Sequence, residues 1–181
     1  MNLPELKIGK LVAQVPIIQG GMAIRLSTAP LAAAVANEGG IGLIAASGMG
    51  LDELRKEIRM ARELTGGKGI IGINAMVAAR QFLDLITTAA EEGIDLIVAG
   101  AGFSRDIFAV GKKYGVEVVP IVSSARLAQT AEKLGASAVV VEGTEAGGHL
   151  GTQQSIKEIL PEVIEAVNIP VIAAGGAVDG N

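Results

Sequence analysis

The chain has 181 residues, which suits one domain with a substantial core rather than two. Half of the residues are hydrophobic but only 2% are aromatic, so Ala, Val, Ile and Leu must build the core, and 25 glycines mark a turn-rich α/β chain. A net charge of −4 with no long basic run argues against nucleic-acid binding, and the lack of cysteine removes disulfides, thiolate metal sites and cysteine nucleophiles.

Met1–Lys10 is mixed in character and Leu11–Met22 is broken by Pro16 and a glycine pair, so neither reads as a signal peptide. No stretch reaches the roughly 18 uninterrupted apolar residues of a membrane helix. The expectation is a soluble, cytoplasmic protein with no membrane partner.

Apolar runs and helical segments alternate along the chain. The runs are Val15–Gln19, Ile41–Ala45, Gly69–Asn74, Ile94–Ala99, Val116–Val122, Ala138–Val141 and Ile169–Ala174. They are nearly continuous rather than alternating, as expected of parallel strands covered on both faces. They begin roughly 20–32 residues apart, which accommodates a strand, a crossover helix and two loops.

Between the runs, Ser27 or Thr28 can cap a helix with Pro30 in its first turn and Gly39 at its end. Leu51, Leu54, Ile58, Ala61 and Leu64 recur at helical spacing before Gly66, and the charges of that segment form a solvated face. Phe82, Ile86 and Ala89 line a third helix that closes near Gly93. Asp106–Tyr114, stopped by Gly115, is a fourth, and a fifth runs from a Ser124 cap to Gly135. Ser155–Val167 is a sixth, in which Pro161 predicts a kink or a short preceding turn.

Seven strands and six helices make most of a TIM-type (β/α)8 barrel, an α/β fold that takes about 250 residues when complete. The sequence ends where a seventh helix should begin, so it is expected to be one domain, residues 1–181, truncated after the seventh strand. It would be a fragment of a longer chain, or a partner such as a second copy in a homodimer would cover the open sheet edges. The alternative, an open doubly wound sheet, lacks its G-x-G-x-x-G turn.

Active sites of such barrels form at the carboxyl ends of the strands. The segments there are Gln19-Gly20-Gly21-Met22-Ala23, Ala46-Ser47-Gly48, Asn74-Ala75-Met76, Gly100-Ala101-Gly102, Ser123-Ser124, the stretch from Glu142 to His149, and Gly175-Gly176. Their glycine density suits a large planar ligand approached by main chain, although tight barrel loops use glycine as well. His149, the only histidine, follows Gly147-Gly148, and its ordinary pKa near 6.5 suits proton transfer at neutral pH. The spacing of Glu142, Glu145 and His149 matches no zinc pattern, so no metal is expected. Glu142 is read as a hydrogen-bonding carboxyl, and Asn74 either as a partner for a heteroaromatic edge or as a turn cap. Met22 and Met76 are read as ring-packing residues or plain core.

Pro16-Ile17-Ile18-Gln19-Gly20-Gly21-Met22, Gly72-Ile73-Asn74, the Glu142–His149 segment and Pro170–Gly176 together resemble the nitronate monooxygenase family, which includes flavin-dependent enoyl-acyl-carrier-protein reductases. The resemblance implies an FMN oxidoreductase. Gly21, Met22 and Ala23 would lie along the flavin and Asn74 would bond its ring system. Glu142 and Gly148 would line the ribityl or ring region, and Gly175 and Gly176 would hold the phosphate. His149 would be the catalytic residue, as a base or as a holder of the nitro group.

The implied reaction is oxidation of a small alkyl nitronate by O2. The alternative is reduction of an enoyl thioester with NAD(P)H as reductant. Ile24 after Met22-Ala23, in place of a Trp, and Ser123-Ser124 lean toward the first. A barrel of the IMP dehydrogenase type would need a cysteine nucleophile, which this chain lacks. A noncatalytic binding module stays open at this point.

Overall fold

A computed structural model describes residues 3–148 and 151–176. The chain opens with an antiparallel hairpin, β1 (Leu6–Ile8) and β2 (Leu11–Ala13). Then follow β3 (Ile18–Gln19), α1 (Ala29–Asn37), β4 (Ile41–Ala45), α2 (Leu51–Leu64), β5 (Ile70–Met76) and α3 (Phe82–Glu91). The chain continues with β6 (Leu96–Gly100), α4 (Asp106–Tyr114), β7 (Glu117–Val122), α5 (Ala125–Leu134), β8 (Val139–Glu142), α6 (Ile156–Ala166) and β9 (Val171–Ala174).

Strands β3 to β9 form one curled sheet in strict sequence order, with every neighbouring pair parallel. A doubly wound sheet reverses its order at a switch point, and this one does not. The architecture is therefore the (β/α) barrel expected from the sequence, carried as far as its seventh strand.

Alternation along each strand divides the core in two. Ile44, Ile71, Ile73, Ile97, Val118, Val139 and Val141 pack outward under the helices against Leu54, Ile58, Ile86, Ile107, Ala128 and Ile159. Ile41, Leu43, Leu96, Val98, Val119 and Val140 pack on the concave face with Ile8 and Ala13 of the hairpin. The helices lie close enough that a Cβ on Gly42 would fall 1.9 Å from the Ala32 carbonyl oxygen.

The hairpin was not legible, because three-residue strands carry too little pattern. It plugs the amino-terminal end of the barrel: the Lys10 N–H donates to Glu117 at 3.1 Å, and Glu117 also accepts from the Ser137 hydroxyl. The first barrel strand is shorter than Val15–Gln19, since Pro16 has no N–H for the ladder and the Ile17 N–H turns back to the Val15 carbonyl.

Helix punctuation held at Ser124, whose hydroxyl accepts the Leu127 N–H, and at Gly115 and Gly135 in left-handed conformation. At the first helix Thr28 takes the cap position with Pro30 in the first turn and a left-handed Gly39 beyond its end, but the Thr28 side chain makes no capping bond and Ser27 is buried. Leu64, expected on the buried stripe of α2, is 50% exposed. Pro161 does not interrupt α6; the bond it cannot make would reach the carbonyl of Lys157, an exposed residue.

Candidate active site

The same alternation that fills the barrel brings polar groups onto its concave face near the carboxyl ends of the strands. Asn74 of β5 and Glu142 of β8 lie in phase with Ile70 and Val140 and are half-buried. Asn74 was expected to close its strand. Instead β5 runs on to Met76, because the Met76 N–H finds the Ser47 hydroxyl at 2.8 Å and the Val77 N–H finds the Gly100 carbonyl. Asn74 is thus a strand residue and not a turn cap.

Gly21 meets that side chain directly. A Cβ on Gly21 would stand 2.3 Å from the Asn74 Cβ and 2.9 Å from its Cγ, so only glycine fits. Met22 and Ala23 follow in an exposed stretch, with Met22 52% exposed, and neither is plain core. Ser27, at the far end of this loop, is fully buried and accepts the Met22 N–H. By its place in the sequence Ser27 is a helix-cap candidate, and nothing local in the chain marks it as buried.

The Glu142–Gly148 segment separates into two roles. Burial pushes the Glu142 carboxyl above the usual carboxylate range. Glu145 faces elsewhere and accepts the Ile156 N–H at the start of α6 at 2.9 Å. That bond, before other backbone and side-chain contacts, holds Glu145 below the usual carboxylate range. Gly143 has no room for a Cβ, which would lie 2.2 Å from the Ile156 nitrogen. Much of the segment's specific appearance is therefore loop anchoring.

Gly148 is in left-handed conformation (φ 96°), and among the described residues nothing lies within 4 Å of where its Cβ would project. Gly175 and Gly176 are both left-handed, at φ 86° and 75°, and Gly175 packs so tightly beneath Ala146 that a Cβ would come 2.5 Å from the Ala146 Cα. His149 lies outside the described residues.

Beside Glu142 the ends of β6, β7 and β8 enclose a cavity of about 280 Å³, lined by Ala101, Phe103, Ile121, Ser123 and Leu127 among others. It falls just below the usual size range of ligand pockets, is mostly apolar, and counts Ser123 and Glu142 among its lining residues. Ala101 holds a left-handed backbone (φ 53°) at its rim. Among the described residues no group of three His, Cys, Asp or Glu side chains could hold a metal, and no helix is long and apolar enough to cross a membrane.

The family model described as nitronate monooxygenase matches residues 5–95 and 71–181. A (3aS,4S,5R,7aS)-5-hydroxy-7a-methyl-1-oxo-octahydro-1H-indene-4-carboxyl-CoA dehydrogenase of Rhodococcus jostii (strain RHA1) is 34% identical over 167 residues, 92% of this chain and 46% of that protein. A probable nitronate monooxygenase of Staphylococcus aureus (strain Newman) is 32% identical over 210 residues, 91% of this chain and 58% of that protein. Among solved structures, FabK from Thermotoga maritima superposes with a TM-score of 0.86 at 40% identity, covering 91% of this chain and 52% of its own. The chain spans about half the length of the curated relatives it matches.

Proposed function

The chain belongs to the nitronate monooxygenase family, a family of oxidoreductase enzymes, and from that premise we propose that it forms the FMN-holding barrel of a flavin-dependent oxidoreductase. The observation that carries the reading is the close approach of Gly21 main chain to Asn74 on the concave face, together with the paired left-handed Gly175 and Gly176 that follow β9.

The donor set fits such a cofactor. Gly175 and Gly176 supply main-chain N–H groups free of side chains for a phosphate, as backbone nests do. Gly21, Met22 and Ala23 offer backbone along a planar ring, and the Asn74 amide can donate and accept at a ring edge. Glu142, whose carboxyl burial pushes above the usual carboxylate range, offers a hydrogen-bonding group toward a hydroxyl. When bound, FMN would supply the redox chemistry, accepting electrons from the organic substrate or from a nicotinamide. The protein's own part is orientation, exclusion of water and proton handling. His149, next in sequence to Gly148, is the residue we assign to the substrate's proton or nitro group.

The first substrate reading is oxidation of a small alkyl nitronate by O2, supported by the family model and by the Staphylococcus relative. A second reading, reduction of an enoyl thioester with NAD(P)H as reductant, draws on the 34% identity to a protein named as a carboxyl-CoA dehydrogenase, which acts on a thioester.

Anaerobic mixing of the natural gene product with propyl nitronate, and separately with NADH, tests both. The expected result is a yellow protein bleached by nitronate and recoloured by O2. Bleaching by NADH with no response to nitronate would transfer the assignment to the second reading. A colourless protein that takes up no FMN would sink both.

A further inference from the structure

The loop between β3 and α1 carries Gly21, Met22 and Ala23, yet its side chains bury little: Met22, Ile24 and Leu26 are 52%, 58% and 57% exposed. Apolar packing therefore contributes little to its path; Arg25 ties its middle to Glu53 at 2.8 Å, and the Gly20–Met22 part rests on other polar groups. At its far end stands Ser27, polar and 0% exposed.

The Ser27 hydroxyl can donate once and accept twice, and its neighbours are the start of this loop and the end of β3. It accepts the Met22 N–H at 3.0 Å and the Gln19 side-chain N–H at 3.2 Å, and it donates toward the Gly20 carbonyl at 3.5 Å. The Gln19 side chain also donates to the Gly20 carbonyl and accepts the Leu43 N–H at 3.3 Å, which ties the node to the next strand. The Ser27 carbonyl accepts the Ala45 N–H at 2.8 Å, a second tie to that strand.

We propose that Ser27, acting with Gln19, is the positioning residue that sets Gly20–Met22 for the planar cofactor, holding Gly21 against Asn74. This rests on the FMN reading above. Removing the hydroxyl leaves the part-buried Met22 N–H without its partner and takes one bond from the Gln19 amide, which keeps the Gly20 carbonyl and the Leu43 N–H. An unmet donor costs free energy to the extent that it is buried. The loop then samples paths in which Gly21 leaves Asn74, and the cofactor must select the competent one, lowering its apparent affinity.

The test uses the natural gene product stripped of flavin and titrated with FMN by quenching of flavin fluorescence, with thermal melts in parallel. Ser27→Ala is expected to weaken FMN binding about tenfold, corresponding to about 1.4 kcal/mol, and to shift the visible spectrum of the bound flavin. Gln19→Ala should do the same, and the double variant should bind no more weakly than either single variant, because both break one node. Ser27→Thr, which keeps the hydroxyl, should recover most of the affinity.

A merely structural serine would lower the melting temperature while leaving FMN affinity within twofold and the spectrum unchanged, and that result overturns the proposal. If Ser27→Ala does not fold, Gln19→Ala decides by the same criteria. A wild-type protein that binds no FMN overturns the FMN reading and this inference together. A wild type that binds FMN, with both variants unaffected, overturns this inference alone.

Discussion

The two ends of the barrel are built differently. At the amino-terminal end, polar groups meet one another. Arg62 bonds Asp95 at 2.8 Å and the carbonyls of Gly69 and Gly93, while Asp95 also accepts the Ile71 N–H. Glu117 gathers Lys10 and Ser137, and the hairpin closes the opening from within. At the carboxyl end the loops are glycine-rich and exposed, the side chains of the 22–26 stretch bury little, and Asn74 and Glu142 face the concavity. A closed end whose polar groups satisfy each other holds the sheet in its curl. An end that leaves backbone and two polar side chains facing open space can take a ligand without first breaking internal bonds.

Separating the ends by mutation tests this contrast. The largest effect is expected from Asp95→Ala, which strips the partly buried Arg62 and the Ile71 N–H of a shared partner. Urea unfolding should show a loss of about 2–4 kcal/mol, with FMN affinity unchanged within twofold; a parallel loss of affinity would show that the ends are energetically coupled. Gly21→Ala should show the reverse pattern. Its Cβ would collide with Asn74, so FMN affinity should fall by more than about tenfold, while the exposed loop limits the stability loss to less than about 1 kcal/mol.

Two carboxylates of the Glu142–Gly148 segment should show opposite pH dependence. Glu145 has a folded pKa below its ordinary value, so its anchoring is complete above that value and is lost as pH falls through the lowered folded one. Protease cleavage within residues 143–147 should accelerate on acidification in wild type, whereas Glu145→Gln should flatten that dependence. Glu142 has a raised folded pKa, so its contribution is complete below the ordinary value and is lost as pH rises through the raised one. Glu142→Gln should accordingly raise the melting temperature slightly at pH 7–8, and the difference should vanish in acid; an unchanged melt at neutral pH would mean that Glu142 is not penalised by burial.

The order of the barrel strands was readable because parallel strands covered on both faces are continuous apolar runs, and Ile41–Ala45 and Leu51–Leu64 coincide with their observed limits. The amino-terminal hairpin escaped because Leu6–Ile8 and Leu11–Ala13 are too short to show a period. Within the candidate site, Gly21, Asn74, Glu142, Gly175 and Gly176 were identifiable by their place after or near strand ends, but the reason each is what it is was not. Gly143 and Glu145 belong to an anchor on α6, a contact made across intervening chain that residue spacing does not encode.

By itself the sequence determined which segments become the barrel's strands and helices and in what order, since hydrophobic period and punctuation by Gly and Pro are local properties, whereas the hairpin and the extension of β5 to Met76 were settled by partners elsewhere in the chain. Only the tertiary structure decided which faces meet. It turned Ser27 from a helix cap into a buried node, set Gly21 against Asn74, raised the Glu142 carboxyl by burial, and assigned Glu145 to the next helix. Each of those depends on the curl of the sheet, which brings together residues far apart in the chain and fixes how much water remains around them.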